Sequence, residues 1–292
     1  MRTSLYAQVA LRGVSWVIRC PDVWGGSEEL WAGAVWRLRD RGFGVFAART
    51  EPWPRGPRHR RWAALREAGI ELRRFGASSL ARVPPAVMEL VAPLAVRPLW
   101  RLRTLLLTAK LRVMAPQLVV IAQWGSYDGL FPICLPEICR FAGVPYVIVC
   151  QRASDIHWPP DGLRHIYQRS YREAAAVFFV SDHNRRTVER QLGLALPEAE
   201  VVRNPFMVQA DRPLPWPEPP GGVLKLDCVA RLWPLDKAQD ILLNVLALDH
   251  WRSRPVEVSF FGDGPVARGI EEMAQLLGRV PLRGVNPEAR MP

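Results

Sequence analysis

Short apolar runs alternate with segments of helical spacing along nearly the whole chain. VSWVIR (14–19), FGVFAAR (43–49), IELRRF (70–75), QLVVIAQ (117–123), PYVIVC (145–150) and AVFFV (176–180) are of strand length and rich in β-branched or aromatic residues. Between most of them, apolar positions recur about every 3.6 residues, as on one face of a helix. This alternation predicts βαβ units and a parallel sheet with helices on both faces. Runs such as VVIA and VFFV carry no polar residue on either face, which fits strands buried from both sides.

The pattern breaks at ADRPLPWPEPPGG (210–222), where five prolines and two glycines fall together. Proline lacks a backbone donor and fixes φ, so this stretch reads as an extended linker. Strand and helix signals then resume, with VLKLDCVA (223–230), a helix near 238–250, VEVSFF (256–261) and a helix near 266–278. The expected organisation is a Rossmann-like domain over 1–209, a linker over 210–222 and a second, partial Rossmann-like domain over 223–292. That second domain has room for a sheet of only two or three strands.

Three strand-to-helix junctions carry candidate chemistry. The first is VWGGSEELW, where Gly25 and Gly26 fall between a strand and a helix. Backbone without a Cβ admits a ligand closely, and the free N–H groups of a helix start favour an anion. A tight turn followed by good capping, with Ser27 at the cap and Glu28 and Glu29 in the first turn, is the plainer alternative. The second is CVARLWPLDKAQDILL (228–243), which places Arg231 and Lys237 on the turn after a strand and offers Asp236 as a helix cap. Open α/β sheets bind ligands at the carboxyl ends of their strands. A guanidinium grips phosphate bidentately and an ammonium acts as a mobile point charge. The pair could therefore neutralise a diphosphate, or be two solvated loop cations. The third is FFGDGPVARGIEE (260–272), with Gly262, Asp263 and Gly264 between a strand and a helix. Downstream of AVFFV, Ser181 or Asp182 can cap a helix that Gly193 ends.

Composition narrows the function classes. The 292 residues are 49% hydrophobic and 23% charged, with a formal net charge of +11. These are the proportions of an ordinary globular protein. Lys110, Lys225 and Lys237 are its only lysines, so arginine supplies most of the positive charge. That excess reflects either arginine-biased composition or attraction to anions. No nucleic-acid-binding signature accompanies it, and no specific nucleic-acid partner is expected. The five cysteines form no CxxC pattern and the five histidines no metal-spaced pair, so reduced thiols, a cytoplasmic location and no metal are expected.

The helical stretch over 97–113 has an apolar arc of Leu99, Leu102, Leu105, Leu106, Ala109 and Val113. Arg97, Arg101 and Arg112 edge it on one side, Arg103 and Lys110 on the other. Such a helix lies in a lipid interface or packs in a core with its arginines snorkelling, and the core reading is preferred.

Taken in order, GGSEELW, FVSDHNRRTVERQLG, VVRNPF, VARLWPLDKAQDILL and FFGDGP resemble the family 4 glycosyltransferases, which are retaining enzymes of the GT-B fold. The resemblance implies an α/β fold of two Rossmann-like domains, the first taking the acceptor and the second a nucleotide-diphosphate sugar. It implies that Arg231 and Lys237 hold the donor diphosphate as the catalytic cations. Gly25 and Gly26 would line the cleft, and Gly262, Asp263 and Gly264 would lie by the nucleotide. The co-substrate is the nucleotide sugar, with no further cofactor, and the acceptor is a glycan, lipid or small molecule. Separately, the amphipathic pattern of 97–113 leaves open peripheral contact with the inner membrane face.

Two departures stand out. Where the family often has a histidine after the strand matching PYVIVC, this chain has Gln151, with Asp155 and His157 close by as further acceptor-side candidates. Glutamine hydrogen-bonds a hydroxyl but does not titrate. The chain also ends at VPLRGVNPEARMP, before a glutamate pair that the family uses to grip donor sugar and ribose, so a truncated donor domain is expected. The rival readings are a degenerate transferase acting as a binding module, and another nucleotide-sugar enzyme such as an epimerase.

Overall fold

The computed structural model describes residues 14–18, 26–49, 60–75, 102, 104–123, 125–127, 135–204 and 220–278. Gly25, most of the proline-rich stretch (210–219), Arg97, Leu99, Arg101, Arg103 and the terminal 279–292 lie outside them. The chain divides into two compact units, Met1–Met207 and Val208–Pro292.

In the first unit the strands are β1 (Val14–Ile18), β2 (Val45–Arg49), β3 (Glu71–Arg74), β4 (Leu118–Gln123), β5 (Tyr146–Cys150), β6 (Ala176–Phe179) and β7 (Glu200–Val201). The helices are α1 (Gly26–Asp40), α2 (Arg60–Glu67), α3 (104–114), α4 (Leu135–Ala142), α5 (Asp161–Arg172) and α6 (Asp182–Leu192). The seven strands form one sheet in the order β3-β2-β1-β4-β5-β6-β7, every described pair parallel. The order reverses between β1 and β4. That is the topological switch point, at which open sheets of this kind leave a crevice beyond the carboxyl ends.

β4 shows why the apolar runs carry no polar face. Successive residues point to opposite sides of the sheet. Val119 and Ile121 enter a core with helices α3 to α6, while Val120 and Ala122 enter a second core with α1 and α2. The second core is built around Trp31 and Trp62, stacked at 5.7 Å between ring centroids. Each fully buried aliphatic side chain in such a core is worth about 1.5–3 kcal/mol. The caps of α6 match the pattern: the Ser181 hydroxyl accepts from the Asn184 amide at 3.2 Å, and Gly193 closes the helix in the left-handed region.

α3 reverses the expected orientation. Leu102, Leu105, Leu106 and Val113 of the predicted arc are 51%, 67%, 53% and 87% exposed, whereas Leu107 and Leu111 are 2% and 1% exposed. The helix carries two apolar arcs, and the one that enters the core is the narrower. Periodicity reports a stripe but not which of two stripes faces inward. The preference for a core role for the wider arc is therefore corrected.

The second unit has β8 (Leu224–Val229), α7 (Pro234–Lys237), α8 (Gln239–Ala247), α9 (Asp249–Arg252), β9 (Val256–Phe261) and α10 (Ala267–Leu276). β8 and β9 pair in parallel as a two-stranded sheet. Leu232, Leu243, Val258, Phe260, Ile270 and Ala274 make its core. Leu226 and Val229 of β8 stay exposed. No described helix in either unit is long and apolar enough to cross a membrane.

Candidate functional site

In the second unit the turns after β8 and β9 run side by side. The amide of Ala230 donates to the Phe261 carbonyl and that of Leu232 to the Asp263 carbonyl, both at 3.0 Å. The parallel ladder thus continues past the strand ends. This close approach explains Gly262 and Gly264. A Cβ on Gly262 would lie 2.0 Å from the Ala230 oxygen, and one on Gly264 would lie 2.1 Å from the Leu232 oxygen. Backbone packing against backbone therefore demands both glycines, whatever ligand lies nearby. Asp263 is exposed, and its Oδ1 accepts from the Gly264 amide at 2.7 Å, which fixes the turn.

Arg231 and Lys237 are both exposed and both on the segment that leaves β8. Pro234 opens α7, a single turn that closes on Lys237. Ala238 follows in the left-handed region, φ 55°, and α8 starts afresh at Gln239. Asp236 lies inside α7 and so does not cap the longer helix, contrary to expectation. Burial pushes the Cys228 thiol above its ordinary range, and the positive field of Lys237 partly offsets that.

Sequence reasoning missed Gln239. Its side chain is buried, and its Nε2 donates to the Arg231 carbonyl at 2.9 Å. The same carbonyl accepts from the Trp233 amide at 2.9 Å. Two donors thus hold the backbone that carries the guanidinium. Beside this turn, Trp233, Pro234, Leu235, Val266, Gly269, Ile270 and Met273 line a cavity of about 260 Å³. Its walls are apolar, which suits no phosphate; the cations lie on the turn outside it.

In the first unit the acceptor-side candidates fall on the turn after β5. The amide of Gln151 donates to the Gln123 carbonyl at 3.1 Å, and the Gln151 carbonyl accepts from Asn184 Nδ2 at 3.3 Å. The Asp155 carboxylate meets Arg190 at 3.1 Å and His183 at 3.8 Å. It is therefore engaged by α6 and is not an idle base. His157 is exposed, with its amide bonded to the Ser154 carbonyl at 3.3 Å. Trp158 is exposed too, its indole N–H donating to the Asp155 carbonyl at 2.8 Å. Gln151, Asp155 and His157 thus share one turn at the carboxyl edge of the sheet.

Gln191 holds that turn from below. Its Nε2 donates to the Ser154 carbonyl at 2.7 Å, and its Oε1 accepts from the Tyr127 hydroxyl at 2.9 Å. Burial raises the Tyr127 hydroxyl far above its usual range, so it stays a donor. Tyr171 donates to the Ser126 carbonyl at 2.7 Å and anchors the neighbouring turn after β4. Asn184, Thr187 and Gln191, all buried, recur on one face of α6, a polar stripe beside Val188 and Leu192. That stripe was the available signal for this network. In the remaining junction, Gly26 begins α1 and Glu28 is buried in its first turn. A carboxylate of the chain itself thus lies where the helix start favours an anion.

No protein-family model matches the sequence, and no curated protein is significantly similar to it. Solved structures are similar in fold. The apo form of the lipopolysaccharide outer core galactosyltransferase WaaB superimposes with a TM-score of 0.59 at 13% identity, over 93% of this chain and 68% of that one. HepE of Anabaena, in complex with UDP and glucose, gives 0.61 at 16% identity over 94% and 69%. A TarM variant of S. aureus, in complex with fondaparinux, alpha-GlcNAc-glycerol and UDP, gives 0.59 at 10% identity over 95% and 78%. The fold is therefore an α/β architecture with parallel sheets that resembles the GT-B glycosyltransferases. At these identities the likeness speaks for the fold alone.

Proposed function

We propose that this chain belongs to a nucleotide-diphosphate-sugar glycosyltransferase that moves a sugar to an acceptor hydroxyl with retention of configuration. The observation that carries the reading is the carboxyl end of β8. Arg231 lies on the turn after β8, which is held by the β9 turn and by Gln239, and Lys237 ends the helical turn α7 that follows. The donor diphosphate binds there. Its developing charge on departure would meet the guanidinium and the ammonium, and the held backbone under Arg231 supports that role by limiting reorganisation. The two side chains supply this charge with no metal invoked. The acceptor lies on the first unit, at the turn of Gln151, Asp155 and His157. Gln151 serves there as a hydrogen-bond partner for a hydroxyl, since an amide cannot take the proton. Retention and membership of family 4 rest on the motif resemblance. The UDP and sugars bound in HepE and TarM support the donor class.

Titration calorimetry with UDP, ADP and GDP tests the reading. One of the three is expected to bind, and Arg231→Ala and Lys237→Ala are each expected to weaken it at least tenfold, on the order of 1.4 kcal/mol. Equal binding by parent and both variants overturns the assignment of the diphosphate to this turn. A second reading, a module that binds without turnover, draws on the small core of the second unit and the exposure of Leu226 and Val229 on β8. Nucleotide binding with no glycoside formed from any nucleotide sugar selects it.

A further inference from the structure

The outer face of α3 is built from side chains that a surface helix has no folding reason to carry. Leu102, helical just ahead of α3, is followed by Leu105, Leu106, Ala109 and Val113 at helical intervals, each of them exposed. Leu107, Thr108 and Leu111 occupy the opposite face and are buried, so the helix is already anchored without the outer arc. Exposed single apolar residues are ordinary, but a contiguous aliphatic stripe marks a contact surface. Near the carboxyl end of α3, Arg112 donates to the backbone carbonyl of Phe141 at 2.5 Å, and Phe141 is itself 48% exposed.

Charge selects the partner. Lys110 and Arg112 are exposed and stand on opposite edges of the stripe. From Leu90 to Tyr127 the sequence contains no aspartate or glutamate, whereas Arg97, Arg101, Arg103, Lys110 and Arg112 are all cationic. Glu137 of α4 and Glu173 after α5 are within ion-pair distance of Arg140, and Glu137 also of Arg169. Aliphatic side chains between cationic edges match an anionic bilayer interface, where the apolar face enters the acyl boundary and the cations meet headgroups. Protein hot spots draw instead on tryptophan, tyrosine and arginine, and leucine is under-represented in them.

We infer that α3 docks the first unit onto a bilayer surface containing anionic lipid, with Leu102, Leu105, Leu106 and Val113 inserted and Lys110 and Arg112 against the headgroups. The inference is independent of the reaction proposed above.

Vesicle co-sedimentation of the whole chain tests it, using phosphatidylcholine alone and phosphatidylcholine mixed with phosphatidylglycerol. The chain is expected to pellet with the mixed vesicles and to stay in solution with the neutral ones. Raising salt from about 0.1 M to about 1 M shortens the screening length to roughly 3 Å and should weaken binding. The combined variant Leu105→Gln, Leu106→Gln, Val113→Gln alters only exposed positions, so its circular dichroism and melting should match the parent while vesicle binding falls at least tenfold. The inference is overturned if the parent ignores anionic vesicles or if the folded triple variant pellets as well as the parent. It is also overturned if light scattering shows a dimeric parent and a monomeric triple variant, because a second copy then covers the face.

Discussion

Gln191 in the first unit and Gln239 in the second are both buried amides, each 1% exposed, but their surroundings satisfy them differently. Gln191 donates to Ser154 and accepts from Tyr127, so both ends of the amide are engaged. Gln239 donates to Arg231, while its Oε1 has no protein partner among the described residues. The contrast follows from what each sheet can assemble. Around Gln191, helices α5 and α6 and the turns after β4 and β5 converge on one sheet edge. Around Gln239 the second unit offers two strands and four short helices, and fewer groups come within reach. A broad parallel sheet can bury a complete polar network, and a two-stranded one supports a turn with a single bond.

The strands repeat the lesson. β4 is buried on both faces, as parallel strands usually are. β8 is parallel too, yet much of it is exposed, and an isolated pair of strands is marginal in water. The second unit therefore depends heavily on its few tight contacts.

The sharpest way to break the comparison is a methyl group. Gly264→Ala drives a Cβ into the Leu232 carbonyl and should destabilise the second unit by about 3 kcal/mol, the upper end of overpacking costs. Gly193→Ala in the first unit meets open space and strains only a left-handed φ, so about 1 kcal/mol is expected. Urea unfolding followed by amide exchange in β8–β9 and in α6 reads the two effects separately; similar losses would show that the turns after β8 and β9 are not in contact.

The two glutamines give the next largest difference. Gln191→Leu strands the Ser154 carbonyl and the Tyr127 hydroxyl and should cost about 3 kcal/mol. Gln239→Leu loses one bond but also removes a buried, unmatched oxygen, so the net change should stay within about 1 kcal/mol. A cost at Gln239 equal to that at Gln191 would mean that its oxygen has a partner, such as an ordered water.

Ala238→Gly should stabilise the second unit by about 1 kcal/mol, because alanine pays for the left-handed region and glycine does not. A lower melting temperature for this variant would contradict the break between α7 and α8.

The smallest effect is acid-dependent. The Arg185 guanidinium holds the Asp182 carboxyl below the ordinary carboxylate range. A depressed folded-state value stabilises above the unfolded value of about 4 and is lost as pH falls through the folded one. Asp182→Asn should therefore lower the melting temperature slightly at pH near 7, and the deficit should vanish in acid. A deficit that persists in acid would place its origin outside the ion pair.

Much of the architecture was legible because it depends on local periodicity. VVIA announced a strand with no polar face, and Val119 to Ala122 divide between two cores accordingly. Ser181 and Gly193 announced the limits of α6 through capping chemistry that involves only near neighbours. The cations of the β8 turn could be named from their spacing. Their support by Gln239 could not, since that bond spans the break between α7 and α8, where the sequence offers Asp236 as the start of one helix.

The chain's own pattern thus determined the elements, their alternation and the parallel sheets, because side-chain period and capping are properties of a few adjacent residues. Three matters waited for the tertiary structure: which apolar arc of α3 turns inward, why Gly262 and Gly264 must be glycine, and which buried amides are satisfied. Each depends on an atom contributed by a segment distant in sequence or across a break in the helix. The core selects one of two leucine stripes, the Ala230 and Leu232 oxygens exclude a Cβ, and Tyr127 completes Gln191. Such choices belong to packing, where space and hydrogen-bond partners are shared between elements rather than encoded within any one of them.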